Sequence, residues 1–138
     1  MLQAQLRGKL TREEEDLEDL LTSNVFGSIK YLPYEEGLLP LLASSFDVNG
    51  AAPTCALQPI SSAKYEFWPW IQESECEGCE PDVLITLQLL NDQKIIILVE
   101  AKYLSNKSSE ANEEETPEDQ LAREWDNLLH LADRQKAI

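Results

Sequence analysis

A chain of 138 residues, 43% of them hydrophobic, is long enough to bury the core of one compact domain. Its formal net charge of -15, from 26 acidic against 11 basic residues, excludes a broad basic surface for phosphate contacts. The longest apolar run, residues 95–99, is too short to cross a bilayer, and the N-terminus lacks an export signal. We therefore expect a soluble, cytoplasmic protein that makes no membrane contact.

The first predicted element is a helix over residues 12–26. Thr11 followed by Glu14 has the form of a capping box, in which each side chain accepts a hydrogen bond from the other residue's backbone amide. The expected buried stripe of this helix consists of Leu10, Leu17, Leu21 and Val25. A turn and a short irregular helix are predicted for YLPYEEGLLPLLASSF, and a loop is predicted for DVNGAAPT.

Three strands are predicted next along the chain. AKYEFWPWI, residues 63–71, is typical of an edge strand, because Pro69 cannot donate to a ladder. PDVLITLQLL and KIIILVEAKY flank the turn NDQ and should pair as a hairpin. The uninterrupted apolar run of the second hairpin strand predicts burial on both faces, as in a central strand.

The last predicted element is a helix over residues 117–136, which follows a polar loop. Thr116 and Pro117 have the types expected for its N-cap and first helical position. Its expected buried side consists of Leu121, Trp125, Leu128, Leu129 and Ala132. The tryptophans are predicted to belong to the core rather than to stack on bases: Trp68, Trp70 and Trp125.

The three cysteines, Cys55, Cys76 and Cys79, allow a zinc site only if His130 completes the four ligands. An odd number of cysteines without an export signal also argues against a disulfide framework. We therefore interpret CEGC as part of a solvated acidic loop.

Three charged residues interrupt the apolar strands at one end of the hairpin. Glu100 and Lys102 share a face, because side chains two apart on a strand project to the same side. If the turn pairs Leu90 with Lys94, Asp82 lies opposite Lys102 on that face, whereas a one-residue slip sends it to the other. Two carboxylates at a core margin are costly unless a cation uses them, and Mg²⁺ or Mn²⁺ suits such oxygen ligands. The pattern predicts metal-assisted hydrolysis of a phosphodiester, with Lys102 activating water or stabilising charge.

Pro81-Asp82, followed by Glu100-Ala101-Lys102 on the next strand, resembles the signature of the PD-(D/E)XK nuclease superfamily. LEDLLTSNVFGSIKYLP, EFWP and DQLAREWDNL are similar to an uncharacterised branch of it, so the resemblance covers residues 10–136 unevenly. It implies an α/β, restriction-endonuclease-like fold: a mixed sheet flanked by helices in the order αβββα. The superfamily's fourth core strand would follow residue 138. We expect it to be truncated, supplied by another subunit, or lost from this single domain of residues 1–138.

The resemblance also implies roles for individual residues. Asp82 and Glu100 would be metal ligands, and Lys102 would be the catalytic lysine. Glu18 matches an auxiliary metal ligand on the first helix, although Glu14 remains an alternative there. Gln120 matches a glutamine that holds the site or contacts the substrate.

The predicted function is a Mg²⁺-dependent nuclease-type domain that acts on DNA, or on RNA as the second choice. Because the chain is acidic, substrate affinity would come from the metal, a missing region or a partner, and the exposed sheet edge would favour a homodimer. One alternative is a catalytically silent interaction or regulatory module with an acidic surface. Another is an acidic mimic of nucleic acid, which the intact Asp, Glu and Lys set disfavours.

Overall fold

The computed structural model of the chain describes residues 6, 15–47, 49–52, 59–73, 77–102 and 120–137. These residues form three helices and three strands. In chain order they are α1 Glu15–Ile29, α2 Leu38–Ala43, β1 Ile60–Phe67, β2 Val83–Leu89, β3 Lys94–Val99 and α3 Gln120–Gln135. The predicted α/β class and the predicted order of elements are confirmed. The capping box at Thr11 and Glu14 and the cap at Thr116 and Pro117 lie outside the described residues.

The three strands form one antiparallel sheet in the order β1-β2-β3. β2 is the central strand, and five of its seven residues are buried. The prediction that β3 is central was wrong within the described sheet, where β3 is an edge. Its apolar run is explained by helices packed on both faces of the sheet rather than by strands on both of its sides.

The sheet separates two apolar clusters because side chains alternate between its faces. Val83, Ile85 and Leu87 face the first cluster, which contains Phe26 of α1 and Leu38 of α2. The second cluster lies on the opposite face and consists mainly of Leu84 of β2, Ile96 of β3 and Leu131 of α3. The sheet is therefore covered by α1 and α2 on one side and by α3 on the other.

The buried face of α1 differs from the prediction. Thr22, Ser23 and Phe26 are buried, whereas Leu21 and Val25 are exposed. One residue corresponds to a rotation of about 100° around a helix, so packing Phe26 against the sheet turns the leucine stripe toward solvent. Leu10 and the side chain of Leu17, the rest of the predicted stripe, lie outside the described part of the chain.

The β2–β3 hairpin pairs two residues away from the predicted register. Gln88 pairs with Lys94, and the Leu89 amide donates to the Gln93 carbonyl at 2.8 Å, so the loop spans residues 90–92. Asp92 occupies the left-handed region, with φ 65, which an aspartate tolerates in a tight turn. A shift of two residues keeps every side chain on its predicted face.

The buried face of α3 is also rotated from the predicted one. It presents Glu124, Asn127 and Leu131 to the protein, while Leu128 and Ala132 are partly buried at its border. Trp125 is 59% exposed. The predicted burial of three large residues was wrong, because Leu121 and Leu129 are exposed with Trp125.

Asn127 explains this rotation, because it holds the loop between β1 and β2. Its Oδ1 accepts from the Glu73 amide at 2.9 Å, and its Nδ2 donates to the carbonyls of Glu77 and Arg123 at 2.7 and 2.9 Å. The loop is closed by paired backbone hydrogen bonds between Ile71 and Cys79. These bonds fix the face of α3 that meets the rest of the protein.

The remaining expectations about residue environments are met in part. Trp68 is buried as predicted, but Trp70 is exposed. Cys79 is buried, and Cys55 and Cys76 lie outside the described residues. Within the described residues, no helix is both long and apolar enough to traverse a lipid bilayer.

Candidate functional site

Asp82 precedes β2, and the register of the hairpin sets it opposite Glu100 rather than opposite Lys102 as predicted. Its Oδ2 accepts from the backbone amide of Ala101 at 2.7 Å. Its Oδ1 accepts from the indole Nε1 of Trp68 at 3.2 Å. The carboxylate is thus aimed at the residues that follow β3.

Trp68 adopts a backbone conformation that is rare for a bulky residue, with φ 46, directly after β1. Its amide donates to the Asp82 carbonyl at 3.0 Å while its indole donates to the Asp82 side chain. Local strain of this kind persists only where surrounding contacts hold it. Trp68 therefore fixes Asp82 through both backbone and side chain.

Glu100 lies beyond the end of β3 and accepts hydrogen bonds from two other side chains. Its Oε1 accepts from Lys102 Nζ at 2.5 Å and from Gln120 Nε2 at 2.9 Å. The Glu100 side chain is 10% exposed and that of Lys102 is 40% exposed. Gln120 opens α3, so this contact ties the last helix to the end of the sheet.

Glu124, one turn further along α3, is a residue that the sequence analysis missed. Gln120 Nε2 also donates to Glu124 Oε1 at 2.9 Å, so one amide group bridges two carboxylates. Glu124 is only 1% exposed. Its other oxygen, Oε2, is buried without a hydrogen-bond partner.

The first helix brings two acidic residues to the same region. Glu18 and Asp19 are both partly buried on α1. Glu18 acts electrostatically on Lys102, and Asp19 acts on Asp82. Asp19 was not predicted, and the alternative Glu14 lies outside the described residues. The cluster therefore sits where both helical layers meet the end of the sheet.

The surroundings of the cluster raise the pKa of two acids, Asp82 and Glu124, and of Lys102. Burial, followed by the negative charge of Glu100, raises the pKa of Asp82 to about 6 against its hydrogen bonds from Ala101 and Trp68. Burial is also the main cause that raises the pKa of Glu124 to about 7. Burial lowers the pKa of Lys102, but its bond to Glu100 and the nearby acids outweigh this and raise it.

A small hard cation at this cluster would be held by two carboxylates. No group of three or more His, Cys, Asp and Glu residues within the described ranges is arranged to hold a metal ion. Mg²⁺, however, commonly uses one or two carboxylates and keeps several waters. Asp82 and Glu100 would form such a pair, and both act electrostatically on Glu124, whose Oε2 is buried without a partner.

The sequence pattern anticipated part of this cluster. It identified Asp82, Glu100 and Lys102 by strand parity, and Gln120 by resemblance. The alternation of apolar residues does not predict the hydrogen bond from the Trp68 indole to Asp82. Glu124 could have been found only from its i+4 spacing to Gln120 on a helix. Comparisons with protein-family models, curated proteins and solved structures find no match to this chain.

Proposed function

We propose that this protein is a metal-dependent nuclease-type domain that hydrolyses phosphodiester bonds of DNA, with RNA as the second candidate substrate. The observation that carries the proposal is the arrangement at the end of the hairpin. Asp82 and Glu100 adjoin the paired residues Val83 and Val99, and Lys102 donates a hydrogen bond to Glu100 at 2.5 Å. Two acids and an amine of this kind suit phosphoryl transfer, because charge develops on the phosphate oxygens.

Asp82 and Glu100 would hold Mg²⁺ or Mn²⁺ in this proposal, with Glu18, whose charge acts on Lys102, as the auxiliary ligand. The cation would neutralise phosphate charge and lower the pKa of water. In the reaction, a water molecule loses a proton to solvent as its oxygen bonds to phosphorus, one ester P–O bond breaks, and the leaving oxygen takes up a proton from solvent.

The raised pKa of Lys102 supports one of its two predicted roles. Its ammonium stays charged near neutral pH, because the hydrogen bond and charge of Glu100 raise its pKa against the opposing effect of burial. A charged ammonium cannot accept a proton from water. In this proposal Lys102 therefore stabilises negative charge on the phosphate rather than acting as the base.

The finer fold assignment belongs to the same proposal. The described order of helices and strands, with helices on both faces of the sheet, is compatible with the αβββα part of a restriction-endonuclease-like fold. All three described strands are antiparallel, so a mixed sheet would require a further strand outside the described residues.

The net charge of -15 has a direct consequence for substrate binding. An acidic surface repels a phosphate backbone and reduces its local concentration. Substrate affinity must therefore come from the bound cation, from a partner protein, or from basic residues elsewhere.

A catalytically silent module is the second candidate, and one observation favours it. Glu100 already accepts hydrogen bonds from Lys102 and Gln120, and the described residues hold no group of three ligands for a metal. A cluster in which the Lys102 ammonium already pairs with Glu100 would then be a scaffold feature that supports an acidic interaction surface.

Calorimetric titration of Mg²⁺ and Mn²⁺ into wild type and Asp82→Ala separates the two candidates. The nuclease proposal predicts binding to wild type that Asp82→Ala removes. It also predicts metal-dependent cleavage of single- or double-stranded DNA that Lys102→Ala abolishes. Metal binding without cleavage of any DNA or RNA substrate would favour the silent module, and absence of binding would reject the metal site.

A further inference from the structure

Glu124 is the least satisfied buried acid among the described residues. Its side chain is 1% exposed, its Oε1 accepts from Gln120, and its Oε2 has no partner. Burying a carboxylate without full hydrogen bonding is costly, and an apolar side chain of similar volume would often be more stable there. Fold stability alone does not explain a glutamate at this position.

The surroundings of Glu124 identify what its free oxygen can bind. Three charged groups act on it: Asp82 from the start of β2, and Glu100 and Lys102 from beyond the end of β3. The two acids repel its charge and Lys102 attracts it. The field of the cluster at Glu124 therefore favours a positive group with hydrogen-bond donors.

Gln120 connects Glu124 directly to the proposed ligand Glu100. The same Nε2 donates to Glu100 Oε1 and to Glu124 Oε1, both at 2.9 Å. Fixing the Gln120 amide from one side therefore fixes the orientation of Glu100 on the other. Residues that orient a ligand in this way commonly change metal affinity by about 10- to 100-fold when they are replaced.

We propose that Glu124 is a positioning residue of the cation site: it holds Gln120 on Glu100, and its free Oε2 accepts a hydrogen bond from the water shell of a divalent cation. The inference rests on the proposed function, because it needs the cation that Asp82 and Glu100 would hold. It adds to the site a residue that lies outside the sequence signature.

The test compares affinity for Mg²⁺ with stability in the absence of metal, for wild type, Glu124→Gln and Glu124→Asp. Glutamine can still accept from Gln120 but places an amide where Oε2 lies. We expect Glu124→Gln to weaken Mg²⁺ binding about 10- to 100-fold while metal-free stability stays equal or rises. Glu124→Asp keeps a carboxylate, so we expect it to recover most of the lost affinity. A purely structural role would not produce this rescue.

Asp126→Asn is the matched control, because it removes one charge from an exposed position on the same helix. We expect it to change Mg²⁺ affinity less than about twofold, as distant exposed charges are screened. If wild type binds Mg²⁺ and Glu124→Gln binds it equally well, this inference is overturned while the proposed function stands. If wild type binds neither Mg²⁺ nor Mn²⁺, both are overturned together.

Discussion

Asn127 and Glu124 are the two buried polar side chains on α3, three residues apart on one helix face, and they differ in how well they are satisfied. Asn127 is 0% exposed, and its three hydrogen bonds join the helix to the loop between β1 and β2. Glu124 is equally buried, but one of its oxygens has no partner.

In our proposal, this difference separates a structural polar residue, Asn127, from a functional one, Glu124. Buried polar groups are normally paired, and a pairing as complete as that of Asn127 contributes to stability and to a unique arrangement of the chain. An incomplete pairing, as at Glu124, is a stability cost that something else must justify. Each of the following substitutions tests one side of the comparison.

Asn127→Ala should have the largest effect on stability. It leaves the buried ends of three hydrogen bonds unpaired, so we expect a loss of about 2 to 4 kcal/mol in the free energy of unfolding. Urea denaturation measures this loss, and Asp126→Asn on the exposed side of α3 should change stability by less than about 0.5 kcal/mol. A loss no larger than that of the control would contradict the structural role of Asn127.

Glu124→Gln should act in the opposite direction, and its effect should depend on pH. The native pKa of Glu124 is raised from 4.5 to about 7, so the folded protein retains a proton that the unfolded chain releases. The contribution of neutral Glu124 to the free energy of unfolding is complete below pH 4.5 and is lost as pH rises through about 7. Metal-free wild type should therefore lose about 3 kcal/mol relative to Glu124→Gln between pH 4.5 and pH 8.

The measurement is urea unfolding of both proteins at several pH values in the presence of a chelator. Asp82 titrates in both proteins, so its contribution to the pH dependence of stability largely cancels when the two are compared. A stability difference that does not vary between pH 4.5 and pH 8 would show that Glu124 is not held neutral by burial.

Trp68→Phe should have a smaller effect, which is specific to the site. Phenylalanine keeps the aromatic ring but removes the indole donor to Asp82, which we expect to cost about 1 kcal/mol of stability. Loss of a donor to the carboxylate should also raise the pKa of Asp82 further above about 6. NMR titration of the Asp82 side chain measures this shift. Trp70→Phe, at an exposed position, is the control and should leave that pKa unchanged.

Lys102→Met should have the smallest effect on stability. Its side chain is 40% exposed, and such salt bridges contribute about 0 to 1 kcal/mol. Lys64 and Glu66, two residues apart on β1, form a comparable salt bridge at 2.9 Å that is far more exposed to solvent. Lys64→Met should lower the free energy of unfolding by a similarly small amount. Unlike Lys102→Met, it should leave any cleavage activity intact. Equal cleavage by both variants would remove Lys102 from the reaction.

The fold was predictable in the strands, where each side chain can lie on only one of two faces. The β2–β3 hairpin and its parity follow from alternation, because a strand side chain has only two faces to choose from. The helix faces were not predictable, because a helix can rotate until its polar residues find partners. Asn127 finds its partner Glu77 fifty residues away in sequence, and this contact turns Trp125 toward solvent.

The candidate site was predictable to the same extent. Strand parity placed Asp82, Glu100 and Lys102 together although the register shifted by two residues. Trp68 joins them through a contact between distant segments, which no local pattern encodes. Glu124 joins them through Gln120, and its i+4 spacing to that residue is the only local signal for it.

Paramagnetic broadening by Mn²⁺ tests most directly whether Asp82 and Glu100 share one cation site. Both donors to the Asp82 carboxylate, the backbone amide of Ala101 and the indole N–H of Trp68, give resolvable NMR signals. We predict that substoichiometric Mn²⁺ broadens these two signals before any others, and that Asp82→Asn abolishes the effect. Selective broadening of amides in the acidic loop around residues 77–80, with Ala101 and Trp68 unchanged, would contradict the cation site.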